Sequence, residues 1–228
     1  RQESENIFSE CKKLKVGVVS YLDKSYPKAL KGNPDAPIFL YFRGNFSLFD
    51  CHSLVAVIGS RDCTQTGKLV CERSVANLVQ QGHVIVSGLA SGIDEIAHKT
   101  VLGLKGQTIA VVVDVLNITP RSNIELANDI LVNEGLVISE NPPNIKVLPG
   151  LFVLRDKIQS AISKAVFVIE TTEKGGSMHC ARTSLLNGKP VFVPDPSKIK
   201  YNGSNVKYER GSQELIKLGA KVYSSANY

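Results

Sequence analysis

Four loop-like stretches carry the groups best suited to chemistry in this chain. They are Gly59-Ser60-Arg61, Ser87-Gly88-Leu89-Ala90-Ser91-Gly92, Ser139-Glu140, and the run 170–177 that closes on Gly175-Gly176-Ser177. Glycine and serine let backbone N–H groups come close to a phosphate, and a helix starting at such a loop adds partial positive charge. Tight strand-to-helix turns also need glycine, so no single loop defines a ligand; several on one edge point to an anion. Arg61 follows an apolar run, where a guanidinium fork suits a phosphate or a neighbouring carboxylate. Phe152 precedes Arg155, Asp156 and Lys157 on a stretch that leaves Pro142-Pro143 and Pro149-Gly150. An aromatic beside cations suits an unpaired base stacked between phosphate contacts. It equally suits a core Phe at a helix entrance.

Other chemistries find less. The first loop runs Gly59-Ser60-Arg61-Asp62-Cys63-Thr64-Gln65-Thr66-Gly67, not the G-x-G-x-x-G of dinucleotide-binding turns, and no G-x-x-x-x-G-K-S/T occurs. Neither a redox nor an ATPase reading has support, and no cofactor is expected. Asp94 and His98 stand four apart on an expected helix, a spacing open to a metal or an acid–base pair. With no third ligand in view, a helix-start role for Asp94 and a hydrogen-bonded structural role for His98 are the simpler account. Ser177 and Cys180 have no evident partner base, so nucleophilic catalysis is not expected. Cys11, Cys51, Cys63, Cys71 and Cys180 contain no C-x-x-C and no metal-ligand spacing, which fits a reduced cytoplasmic protein without a metal.

Bringing these loops to one edge takes a parallel sheet, and the hydrophobic pattern supplies it. Short β-branched runs at 55–58, 84–86, 108–113, 136–139, 165–170 and 191–193 alternate with helical patterns. The helices are expected from about Cys71 to Gln81, from Ile93 onward, and near 122–133, 155–163 and 178–187. Near-continuous apolar strands alternating with helices imply an extended Rossmann-like α/β fold, a mainly parallel sheet with helices on both faces. Ligands then bind outside the carboxyl ends of the strands, where the four loops lie. A short helix near 213–218 and a strand at 220–223 add an edge. Residues 1–52, with Pro27, Pro34 and Pro37 and several aromatics, form a flanking segment packed on the core at 53–228.

The length of 228 residues allows one large domain, and an apolar content of 43% excludes a disordered chain. The longest apolar runs fall far short of the about 18 residues that cross a bilayer, so no membrane association is expected. With polar first residues, no secretory leader is expected. Lys and Arg number 27 against 21 Asp and Glu, and the resulting net charge of +6 favours a polyanionic partner.

Taken in order, the motifs resemble the DprA/Smf family of bacterial DNA-processing proteins. The leading segment matches at Tyr26-Pro27, Leu30, Pro37, Leu40-Tyr41 and Gly44-Asn45. The first glycine loop matches at Ala56-Val57-Ile58-Gly59-Ser60-Arg61 with Thr64 and Gly67, and the second from Val86 to Asp94 with Ala97-His98. Thr108-Ile109-Ala110-Val111, Ile138-Ser139-Glu140-Asn141-Pro142-Pro143, Gly175-Gly176-Ser177 and Val191-Phe192-Val193-Pro194 follow, closing with Gly219-Ala220. The resemblance implies a non-enzymatic protein that binds single-stranded DNA, protects it and loads a RecA-type recombinase in natural transformation. By position it implies a DNA pocket of Gly59, Ser60, Arg61, Ser87, Gly88, Ser91, Phe152, Arg155, Lys157, Gly175, Gly176 and Ser177. It also implies a homodimer paired through the C-terminal third.

The sequence departs from the family pattern in several places. Ser91 replaces a usual basic residue, and the stretch normally F-P-x-R-N-R is Phe152-Val153-Leu154-Arg155-Asp156-Lys157. Val113-Asp114-Val115 replaces expected glycines, and Gln213 stands for Asn. These changes lower the pocket's positive charge. Neither a helical module before residue 1 nor a winged helix after Tyr223 is expected here, though many relatives carry them. The alternative reading is a nucleotide-binding sensor or a LOG-like nucleotide phosphoribohydrolase on the same fold. The P-G-G-x-G-T-x-x-E of the latter finds only Lys174-Gly175-Gly176-Ser177-Met178-His179-Cys180-Ala181, without the carboxylate.

Overall fold

The computed structural model describes residues 2–33, 36–51, 53–199 and 205–224; Pro34 lies outside the described residues. Seven strands run parallel: β3 (Leu54–Ile58), β4 (Val84–Ser87), β5 (Thr108–Val111), β6 (Leu136–Ser139), β7 (Ala165–Val168), β8 (Val191–Pro194) and β9 (Lys221–Tyr223). β1 (Gly17–Ser20) and β2 (Phe39–Gly44) join antiparallel beyond β6, giving the order β1-β2-β6-β5-β4-β3-β7-β8-β9. The proline-rich leading segment therefore adds two strands to the main sheet. Its Tyr26, Leu30 and Leu40 are buried, and the Tyr26 hydroxyl donates to Pro37 O at 2.6 Å.

The helices are α1 (Gln2–Lys13), α2 (Gln65–Gln80), α3 (Ile93–Gly103), α4 (Ile124–Val132), α5 (Pro149–Ile162), α6 (Gly176–Leu186) and α7 (Val206–Lys217). Successive side chains of a strand point to opposite faces, and β3 shows the result. Val55 and Val57 pack with Val70 and Val75 of α2 and Ala97 of α3, whereas Ala56 and Ile58 pack with Ile158 of α5 and Met178 of α6. A strand covered on both faces has little room for polar side chains, which is why β3 reads as an unbroken apolar run, β4 and β6 as apolar runs ending in Ser, and β5 as an apolar run after Thr108. No helix of the described residues is long and apolar enough to cross a membrane.

Three helices begin well before the hydrophobic pattern announces them. α2 starts at Gln65 rather than about Cys71, behind a Thr64 cap whose side chain accepts from Gly67 N. α5 starts at Pro149 rather than near Arg155, because Pro at the first helical position already has helical φ and lacks only an N–H that would be unpaired there. α7 starts at Val206 rather than near Gln213. Its buried stripe is Tyr208, Gly211, Ser212 and Leu215, and the small middle residues hide the helical period.

Candidate nucleic-acid interface

The chain runs β3-β4-β5-β6 toward one edge, then returns through α5 to place β7 on the other side of β3. Helices and loops diverge at such a reversal and leave a crevice at the carboxyl ends of the two strands. A cleft of about 460 Å³ opens there, walled by Gly59, Ser60, Arg61 and Asp62 after β3 and by Thr171, Thr172 and Gly175–Ser177 after β7. The returning helix α5 supplies the floor, with Arg155, Asp156 and Gln159.

Because α5 begins at Pro149, Phe152, Arg155, Asp156 and Gln159 share one helix and lie three or four residues apart on one side of it. The Phe152 ring is flanked by two guanidiniums, Arg61 at 5.4 Å and Arg155 at 5.9 Å from its centroid. Both distances fall in the cation–π range. Arg61 is exposed and Arg155 is buried. Gly88 makes room for Arg155: a Cβ there would lie 1.2 Å from its Nη1. Arg155 faces Asp94 Oδ2 at 3.7 Å and Asp156 Oδ1 at 3.4 Å, ion-pair separations longer than hydrogen bonds. A buried carboxylate, Asp94, and a partly buried one, Asp156, thus share one guanidinium. Burial raises both acids, Asp156 to about 6, with Asp94's charge pushing the same way and Arg155, Arg61 and His179 opposing.

The anion-binding ends of the helices differ. At α2 the site is taken, because Glu170, fully buried after β7, accepts from Thr64 N at 2.8 Å and Thr64 Oγ1 at 2.6 Å. That is where a Rossmann protein seats a dinucleotide phosphate, so the fold's usual cofactor position is filled from within. At α6, Gly175 caps without a side-chain bond and Gly176 is exposed with no atom within 4 Å of where a Cβ would stand, leaving this helix start facing the cleft.

The structure brings Gly59, Ser60, Arg61, Arg155, Gly175, Gly176 and Ser177 together in the cleft wall, with Phe152 beside them. It separates the rest. Ser87 is fully buried and its Oγ donates to Val57 O at 2.6 Å, so its hydroxyl ties β4 to β3 and cannot meet a ligand. Gly88 lies under Arg155, its N–H donating to Asp94 Oδ2 at 3.2 Å. The chain turns at Leu89, where φ is +56°, so that Ala90 rather than Ser91 lines the cleft. Lys157, two residues from Arg155, projects some 200° round the helix and is not in the cleft wall. Ser177 Oγ donates to Thr171 Oγ1 at 2.8 Å, and Cys180 is buried with its thiol pushed far up by that burial.

Asp94 and His98 serve separate ends. His98 is fully buried, bonds Thr108 Oγ1 at 2.8 Å through Nδ1, and is driven down to about 3 by burial, so it is neutral. Among the described residues no group of three or more His, Cys, Asp or Glu could hold a metal. Sequence reasoning marked Asp156 only as a departure that lowers the pocket's charge, and missed Gln159 and the bracing of the first loop by α7. There the Tyr208 hydroxyl donates to Asp62 O and stands 3.5 Å from Ser60 Oγ. Asp114, at a departure from the family pattern, organises its loop: its Oδ1 accepts from Leu116 N and its Oδ2 from Asn144 N, both at 2.8 Å.

The fold is a doubly wound α/β sheet with an open, cation-flanked cleft at its reversal point, where proteins of this class bind ligands. Within that class the family model for DNA recombination-mediator protein A matches residues 17–228. The chain belongs to this DprA/Smf family of DNA-processing proteins. It is 35% identical over 213 residues to DNA processing protein DprA of Bacillus subtilis, covering 92% of this chain and 69% of that one. It superposes on the crystal structure of DNA processing protein A from Streptococcus pneumoniae with a TM-score of 0.84 and 31% identity, covering 95% and 75% of the two chains. The structure of DNA processing protein A from Helicobacter pylori, described for its unique single-stranded DNA binding mode, gives 0.78 and 30%, covering 91% and 90%.

Proposed function

We propose that this chain binds single-stranded DNA in the β3/β7 cleft, without cleaving it, and delivers it to a RecA-type recombinase. The observation that carries the reading is the Arg61–Phe152–Arg155 stack beside the open α6 start, which offers cation, aromatic face and backbone donors in one shallow site. The single-stranded DNA binding of the Helicobacter pylori relative supports it. The description of the matched family as recombination mediators supports the handover. Delivery without chemistry accords with a Ser177 hydroxyl spent on Thr171, a buried Cys180 thiol and a Glu170 carboxylate spent on Thr64. That last contact also weighs against a phosphoribohydrolase. All five cysteines are free thiols, which supports a reducing, cytoplasmic setting. We also place a homodimer contact in the C-terminal third, where Leu218 and Val222 are exposed.

Gel shifts with a single strand, its duplex and AMP test the reading. The single strand should bind tightest, with affinity falling as salt rises at a log–log slope of about −0.7 per phosphate contact. Equal affinity for duplex, or binding indifferent to salt, would sink it.

A further inference from the structure

We propose that the cleft floor reads the exocyclic amino group of one unpaired base through Asp156 and Gln159, so that the chain prefers cytosine to thymine in single-stranded DNA. This rests on the single-stranded DNA reading of the cleft and adds a base preference to it.

The floor is acidic where a phosphate-only site would be basic. Asp94 and Asp156 outnumber Arg155, and Asp94 is already held by the Gly88 N–H. Asp156 lines the cleft with its side chain 16% exposed, within reach of a ligand. Gln159, also in the lining, is 1% exposed, and its Nε2 donates to Asp156 Oδ1 at 3.0 Å. That bond fixes the amide, since a carboxylate accepts only from the NH₂ side, and it turns Oε1 the other way. Gln159 Oε1 then has no hydrogen-bond partner among the described residues. A buried acceptor left unpaired is costly, and it is relieved by a ligand that brings a donor.

The donor fits a nucleobase better than a phosphate, which has acceptors only. Phe152 stands beside the cleft with the exposed Arg61 over its ring, a group that can swing aside and leave a flat apolar face on which a base stacks, and both acceptors project from the helix that carries it. Cytosine carries an N4 amino group, two donors for a carboxylate and an amide oxygen. Thymine places its O4 acceptor at that position, against a negative charge. The two pyrimidines stack alike, so the amino group is the difference between them that the floor can sense.

Fluorescence anisotropy with labelled homopolymers of dC, dT and dU, each roughly ten nucleotides and thus within one binding site, tests this at a fixed salt and mildly alkaline pH. The wild-type chain should bind dC about tenfold more tightly than dT, with dU matching dT because the methyl group plays no part. Asp156→Asn is isosteric and presents an N–H donor; it should bring the dC/dT ratio close to one while dT is still bound. Gln159→Met, which keeps the volume and removes the acceptor, should shrink the ratio too. Equal affinity of the wild-type chain for dC and dT, or an unchanged ratio in a folded Asp156→Asn protein, overturns the proposal and leaves single-stranded binding standing. Failure of every homopolymer to bind overturns the single-stranded reading itself. The wild-type ratio decides the preference even if a variant does not fold.

Discussion

Arg155 sits between two acids and an aromatic ring, and a guanidinium held that way is a fixed platform, whereas Arg61 across the ring is exposed and can follow a ligand. Arg61 and Phe152 therefore fail differently when removed. Arg61→Ala should weaken single-stranded DNA of any sequence and shallow the salt slope by about 0.7, one phosphate contact. Phe152→Ala should cost about 1–3 kcal/mol per stacked base with the slope unchanged. Titrations at several salt concentrations separate them. Asp156 sets a third expectation. Its folded value, about 6, lies above the ordinary 3.8, so the protonated form favours the folded state. That contribution is complete below the ordinary value and is lost as pH rises through about 6. Asp156→Asn should raise stability at neutral pH by about 1–3 kcal/mol and leave it unchanged in acid, read by urea denaturation at the two pH values. At this scale the sequence told only half. Arg61 and the α6 glycines were legible because the ends of parallel strands are where ligands bind. Asp156 and Gln159 were not, because their roles depend on the turn of a helix whose start was misplaced by six residues.

The elements explain that misplacement. Around Phe152 the run Leu151-Phe152-Val153-Leu154 is apolar on all sides and shows no helical period, so Pro149-Gly150 read as a break instead of a start. The strands were easier, since burial on both faces leaves an unmistakable apolar run. The start of α7 is hidden for a related reason: besides Tyr208, the helix meets the site through a residue with no side chain. Gly211 comes so close to the loop after β7 that a Cβ would stand 1.9 Å from Thr171 O. Gly211→Ala should push that loop into the cleft and reduce DNA binding several-fold while leaving overall helicity intact, a separation visible by comparing circular dichroism with gel shifts. Glu170 works at the same level. Glu170→Gln keeps the shape but replaces one of the two oxygens that accept from Thr64 with an NH₂ donor, and should lower stability by about 1–2 kcal/mol.

For the molecule as a whole, the question is how a shallow cleft of about 460 Å³ with an acidic floor holds a long strand. The homodimer we propose answers it, because a strand that spans both clefts would bind the second at high effective concentration. In the tail, Leu215 and Ala220 are buried in their own core, while Leu218 after α7 and Val222 on the edge strand β9 remain half-exposed. Sedimentation at tens of micromolar should show a species of twice the chain mass, and Leu218→Arg should return it to a monomer. That variant should lose affinity for long strands and keep it for short ones. A monomeric wild-type protein would remove avidity from the account.

The sheet reversal that opens the cleft has a consequence in time. The loop after β3 and the loop after β7 are about 110 residues apart in sequence, so their meeting requires one of the longest chain closures in the protein. Units such as β4-α3-β5 close over far shorter spans and can form first. Binding competence is then a late product of folding. On dilution from denaturant, helical signal should return before the ability to retain a single strand. A chain interrupted between β6 and α5 should regain much of its secondary structure yet bind nothing.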